Sequence, residues 1–135
     1  MAQASAFLHI PASADTVWQL IGGFHSLNDW LPLIVESELK EGGRVRHLTT
    51  AEGAQISERL QTFNNKGRTY SYSIDEGPFP IKDYLATLTV IEDGPEGALV
   101  EWLGVFTPDG VSDAEVEALF KGIYEGGLEA LKANF

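Results

Sequence analysis

The chain has 135 residues, 44% of them hydrophobic, with twenty acidic against nine basic side chains and no cysteine. That length suits one domain with a single sizeable core, expected to span residues 1–135. A net charge of −11 repels phosphate backbones and anionic lipids, and the missing cysteines exclude disulfides and thiolate chemistry. No apolar run reaches the ~20 residues that span a bilayer, and no basic region precedes the first apolar stretch. A soluble cytoplasmic protein with no nucleic-acid or membrane partner is the plainest expectation, as a monomer or a homodimer.

In chain order, "FLHI" reads as a first strand. "PASADTVWQLIGGF" follows with Ser13 as N-cap, Val17, Leu20, Ile21 and Phe24 at helical spacing, and Gly22-Gly23 as the stop. A short second helix, "HSLNDWL", ends against Pro32. Six strand-like runs come next: "LIVESEL", "RVRHLTT", "AQISERLQTF", "RTYSYSI", "YLATLTVIE" and "GALVEWLGVF". The short, glycine-containing links between them mark successive antiparallel hairpins.

The chain closes on a helix that starts at the Ser112/Glu115 capping box. Its apolar stripe is Val116, Leu119, Phe120, Ile123, Gly127, Ala130 and Leu131. At 1.5 Å per residue it is roughly 33 Å long, enough to cross a sheet. Gly122, Gly126 and Gly127 inside it each cost about 1 kcal/mol relative to alanine, so close packing, a kink or room for a ligand is needed to account for them. The order β–αα–ββββββ–α is an α+β arrangement, a curved seven-stranded antiparallel sheet wrapped around a long C-terminal helix.

One strand breaks its own pattern. In "GAQISERLQTF", Ala54, Ile56, Leu60 and Thr62 share a face, and Glu58 falls among them. With the turn centred on Glu52, facing residues sum to 104, which sets Arg46 opposite Glu58 within ion-pair reach. A type I turn with a glycine bulge at "NNKG" then brings Tyr72 and Ile74 onto the same face. Tyr84, Ala86, Leu88 and Val90 form a similar stripe, as do Val100, Trp102 and Phe106. An apolar wall with Arg46, Glu58, Tyr72 and Tyr84 as polar points is the makeup of a small-molecule site.

Desolvation raises the pKa of such a carboxyl and a nearby arginine lowers it. Glu58 is thus a general acid or base, a hydrogen-bond anchor, or half of a structural ion pair. His9, His25 and His47 lack metal-ligand spacing, no phosphate-cradling glycine pattern precedes a helix, and no metal or other cofactor is expected. His47 alternates away from Arg46 toward solvent.

The segments "ADTVW", "WLPLIVESEL", "EGGRVRHL", "ISERLQTFNNKGRTYSYSI", "EGPFPIKDYLATLTV" and "VEWLGVF", in this order, resemble the START/Bet v 1 superfamily. The closest group is the polyketide cyclase/dehydrase-like one, with the abscisic-acid receptors and the lachrymatory-factor synthase among its members. The resemblance implies a helix-grip fold and a hydrophobic, lipid-type cavity between the sheet and the long helix. Residues 77–80 match a loop that closes over ligand in the receptors, although the receptors' Ser-Gly-Leu-Pro gate is missing. Arg46 and Glu58 match positions held to be catalytic in the synthase and Tyr84 matches a cavity tyrosine there, so these three are the expected catalytic set, and Trp30 lies near the family's cavity mouth. Phe79, Tyr72, Trp102, Phe106, Phe120, Ile123, Tyr124 and Gly127 complete the expected ligand-binding set. Three readings follow: a binder of a small hydrophobic or aromatic molecule, an enzyme shuttling protons through Glu58, or a partner-binding module with a collapsed cavity.

Overall fold

The computed structural model describes residues 2–135. Seven strands form one antiparallel sheet in the order β1-β7-β6-β5-β4-β3-β2. They are β1 (Ala2–Ile10), β2 (Ile34–Lys40), β3 (Val45–Thr50), β4 (Gln55–Asn64), β5 (Thr69–Glu76), β6 (Ile81–Glu92) and β7 (Ala98–Pro108). Helices α1 (Ala14–Ile21) and α2 (Leu27–Trp30) sit between β1 and β2, and α3 (Asp113–Lys132) closes the chain. This is the helix-grip arrangement expected from the sequence.

The helix starts follow their caps. Ser13 Oγ accepts from the Thr16 N–H at 3.2 Å, and Ser112 Oγ accepts from the Glu115 N–H at 3.2 Å. The Gly22 N–H closes α1 onto Trp18 O at 2.7 Å.

β1 begins earlier than "FLHI" suggests. Its buried positions are Ala2, Ala4, Ala6 and Ile10, the alanines alternating with Gln3, Ser5 and Phe7. Alanines supply little hydrophobic signal, yet their small size lets α3 pack close. The Gln3 N–H at the outer edge of β1 donates to Glu117 Oε2 of α3 at 3.1 Å.

The bulge that pairs β4 with β5 is not at the "NNKG" glycine. The register shifts between Leu60 and Thr62, inside β4. Beyond it, Thr62 pairs with Ser71 and bonds its hydroxyl at 2.6 Å, whereas Phe63 pairs with Tyr70 and stacks on its ring. Thr62 therefore leaves the face assigned to it by simple alternation. β6 also starts before Tyr84, with an irregularity between Lys82 and Leu85 where Asp83 has φ 53°.

The buried stripe of α3 is Val116, Phe120, Tyr124, Gly127, Leu128 and Leu131. Leu119, placed in the stripe by sequence, is 40% exposed. Tyr124 and Leu128 take the core positions one turn and two turns after Phe120. Gly127 accounts for itself: a Cβ there would stand 2.7 Å from Trp102 Cζ3 and 3.1 Å from Leu31 Cδ1. Gly122 and Gly126 are exposed, and a Cβ on either meets nothing within 4 Å.

Candidate functional site

Arg46 of β3 and Glu58 of β4 are direct register partners, as the hairpin arithmetic requires. Both are buried, at 1% and 6% exposure. Arg46 Nε donates to Glu58 Oε1 at 2.8 Å. Nη2 approaches the same oxygen at 2.7 Å as a charge contact without hydrogen-bond geometry. Nη1 donates to Phe24 O at 2.9 Å and reaches the Tyr70 hydroxyl at 3.4 Å. The guanidinium carbon lies 4.3 Å from the Phe24 ring centroid and 4.8 Å from that of Tyr72, within cation–π range.

This enclosure sets the charge states. Burial works against the Arg46 charge, but Glu58, Tyr70 and Tyr72 outweigh it, so the guanidinium stays protonated. Burial likewise pushes the Glu58 carboxyl above its ordinary range, and Arg46 reverses only part of that rise.

Glu58 lines a cavity of about 40 Å³ between the sheet, α2 and α3. Tyr72, Tyr84, Trp102, Phe79, Phe120, Ile123 and Tyr124 line it too, all of them in the expected set. Leu27, Leu31, Leu33, Ile34, Leu48, Ile56 and Ile74 complete the wall. None of these seven is in the expected set: Ile56 and Ile74 share the Glu58 face by alternation, but Leu48 carries no signal of its own and residues 27–34 read only as a helix and the start of a strand.

Four expected residues stand back from the cavity. Arg46 is sealed behind Glu58. Phe106 packs on Phe120, with ring centroids 4.9 Å apart. Gly127 lets α3 settle on Trp102. Trp30 is buried against Trp102, ring centroids 5.9 Å apart, and its Nε1 has no acceptor among the described residues.

Each phenol has a hydrogen-bond partner. Trp102 Nε1 donates to the Tyr72 hydroxyl at 3.1 Å, and the Tyr84 and Tyr124 hydroxyls bond to each other. Burial is the first cause that pushes Tyr72, Tyr84 and Tyr124 upward, so all three stay protonated well into the alkaline range. One residue missed by sequence reasoning is Gly104, paired with Ala86 of β6 and Ala4 of β1. A Cβ at that position would collide with the Tyr124 hydroxyl. A glycine inside an otherwise regular strand was the available signal.

His47 faces outward, as alternation requires, and bonds Ser57 Oγ and Gln55 Oε1 at 3.0 Å each. Among the described residues no group of three or more His, Cys, Asp or Glu is placed to hold a metal, and no helix is long and apolar enough to cross a membrane.

The family model described as polyketide cyclase / dehydrase and lipid transport matches residues 1–135. The chain belongs to this family. Protein XoxI from Bacillus cereus is 53% identical, with a TM-score of 0.98 over 100% of this chain and 96% of that one. A START superfamily protein from Mycobacterium smegmatis is 15% identical, with a TM-score of 0.83 over 99% and 97% of the two chains. The Zhui aromatase/cyclase from a Streptomyces species is 16% identical, with a TM-score of 0.79 over 98% and 92%. The last two share the fold. Comparison with curated proteins gave no match.

Within this family fold, the Glu58 cavity occupies the space between sheet and long helix. The family membership supports a ligand-binding or cyclase role.

Proposed function

We propose that the protein binds a small hydrophobic molecule in the cavity between the sheet and α3, anchored by Glu58. The observation that carries this reading is one carboxylate set in a wall otherwise made of aliphatic, aromatic and phenolic side chains. An ion pair kept only for stability is weakly motivated, because apolar replacements of equal volume often serve as well. Here the carboxylate also faces space, which a purely structural pair does not need.

The cavity of about 40 Å³ holds only ~1–3 waters, whereas a benzene-sized guest needs on the order of 150 Å³. Binding thus requires the wall to move. Of the lining side chains, Phe79 in the loop before β6, Ile74 on β5 and Ile123 on α3 are only half-buried and Leu33 is exposed, so these have the most room to swing. The affinity is reduced by the population of that opened state. The collapsed-cavity reading takes its support from the same small volume.

Titration with one-ring and two-ring apolar compounds, followed by NMR shifts of Ile74 and Ile123 methyls, tests the proposal. Saturable binding that is lost in Ile123→Trp is the expected result. A panel that neither perturbs these methyls nor raises Tm would leave the collapsed reading standing.

A second reading, proton transfer on a carbonyl substrate, is favoured by the raised Glu58 pKa beside phenol donors. In that chemistry Glu58 exchanges the proton, and the Tyr84–Tyr124 pair is the nearer donor for developing negative charge on oxygen. Arg46, behind Glu58, acts as a positioning residue. Given a turnover assay, Glu58→Gln should abolish activity with the fold intact.

A further inference from the structure

The hydrogen-bond valences of the pocket narrow the ligand further, on the premise that the cavity is a binding site. Both Arg46 contacts fall on Glu58 Oε1, from Nε at 2.8 Å and Nη2 at 2.7 Å. Among the described residues no group donates to Oε2. Since Glu58 lines the cavity and Arg46 does not, Oε2 is the oxygen left to face a guest. A carboxylate oxygen is an acceptor only, so its complement is a donor.

Charge sharpens the selection. Glu58 is the single ionisable acid or base of the cavity wall apart from the tyrosines, which stay neutral. The Arg46 charge is spent on Glu58 Oε1 and the Phe24 carbonyl and is covered by the Phe24 and Tyr72 rings. A ligand anion would meet the Glu58 oxygen with no free cation within reach, in a site where charge is weakly screened. The phenols add donors of their own. Tyr72 oxygen already accepts from Trp102, and only one proton of the Tyr84–Tyr124 pair is used between them. They can serve a neutral oxygen on the same guest.

We infer that the pocket selects an uncharged, ring-containing compound whose hydroxyl donates to Glu58 Oε2, and that it rejects the matching carboxylate. The selection is against acids as a class, which separates this site from a fatty-acid or organic-acid carrier.

The test uses two matched triplets at neutral pH with the full chain: benzene, phenol and benzoate, then naphthalene, 2-naphthol and 2-naphthoate. Kd values come from NMR titration. The hydroxyl compound of at least one triplet should bind about tenfold more tightly than the parent hydrocarbon, as one charge-assisted hydrogen bond allows. The carboxylate should bind at least about tenfold more weakly than the hydroxyl compound. In Glu58→Gln the carboxylate should regain ground on the hydroxyl compound. If that variant does not fold, Arg46→Met/Glu58→Leu removes the buried pair together, and the hydroxyl advantage over the hydrocarbon should vanish.

A carboxylate that binds as tightly as the hydroxyl compound overturns the inference while leaving the pocket a binding site. A hydroxyl compound no better than its hydrocarbon does the same. If the hydrocarbons and their derivatives all fail to bind, the ligand-binding reading falls first and this inference with it.

Discussion

The Tyr124 hydroxyl of α3 lies against the Cα of Gly104 in β7, in space that any side chain at residue 104 would fill. That contact brings the hydroxyl to its partner on Tyr84, and both tyrosines line the cavity. Gly104→Ala should therefore push α3 outward and break the Tyr84–Tyr124 bond. The expected loss is about 1–3 kcal/mol in denaturant unfolding, the usual range for overpacking. An alanine variant as stable as the parent, with unchanged Tyr124 NMR shifts, would show that the approach is not required.

Removing Arg46 alone should be far worse than removing the pair. Arg46→Met strands the Glu58 carboxylate in a buried site and is expected to cost roughly 3–5 kcal/mol. Arg46→Met/Glu58→Leu should recover most of that loss, because apolar side chains fill the same volume without an unpaired charge. A double variant no more stable than the single one would contradict this account.

Stability should respond to pH through Glu58 in a definite direction. Burial raises the folded carboxyl above its ordinary value of 4.5, with Arg46 opposing. The stability it contributes is complete below about pH 4.5 and is lost as pH climbs through the folded pKa. Glu58→Gln has no such term. Its deficit against the parent should be widest at the acid end and shrink as pH rises. A deficit that grows with pH would mean that Arg46, not burial, governs the carboxyl.

The α3 glycines should part company. Gly122→Ala and Gly126→Ala are each expected to stabilise by up to about 1 kcal/mol, since a methyl there meets nothing and alanine is the better helix former. Gly127→Ala should destabilise by overpacking against Trp102. Thermal unfolding of the three single variants decides it, and a common sign for all three would refute the distinction.

Much of this was legible beforehand because β-hairpins are local. Once the "AEG" turn was located, the Arg46–Glu58 pairing was simple arithmetic, and the capping serines named the helix starts. The errors arose where alternation meets an irregularity. The bulge after Leu60 turns Thr62 outward and Phe63 toward Tyr70, and nothing in "RLQTF" announces which residue will be extra. Leu119 reads as inward-facing because a helix of mean period 3.6 admits two neighbouring stripes, and only the sheet decides between them. The volume of the cavity was out of reach altogether. It depends on the rotamers of fifteen side chains from eight elements and the loops between them, and those are set only when they meet.

The sheet order carries a kinetic consequence. From β2 to β7 every neighbouring pair is a hairpin, so five pairings can zip one after another with little loop entropy to overcome. The β1–β7 pairing is different: it joins residue 10 to residue 98 and must wait for nearly the whole chain. Substitutions in β1, such as Ala4→Gly, should then speed unfolding and leave the folding rate almost unchanged. The first of the seven strands in chain order would be the last to dock, arriving together with the helix that lies across its alanines.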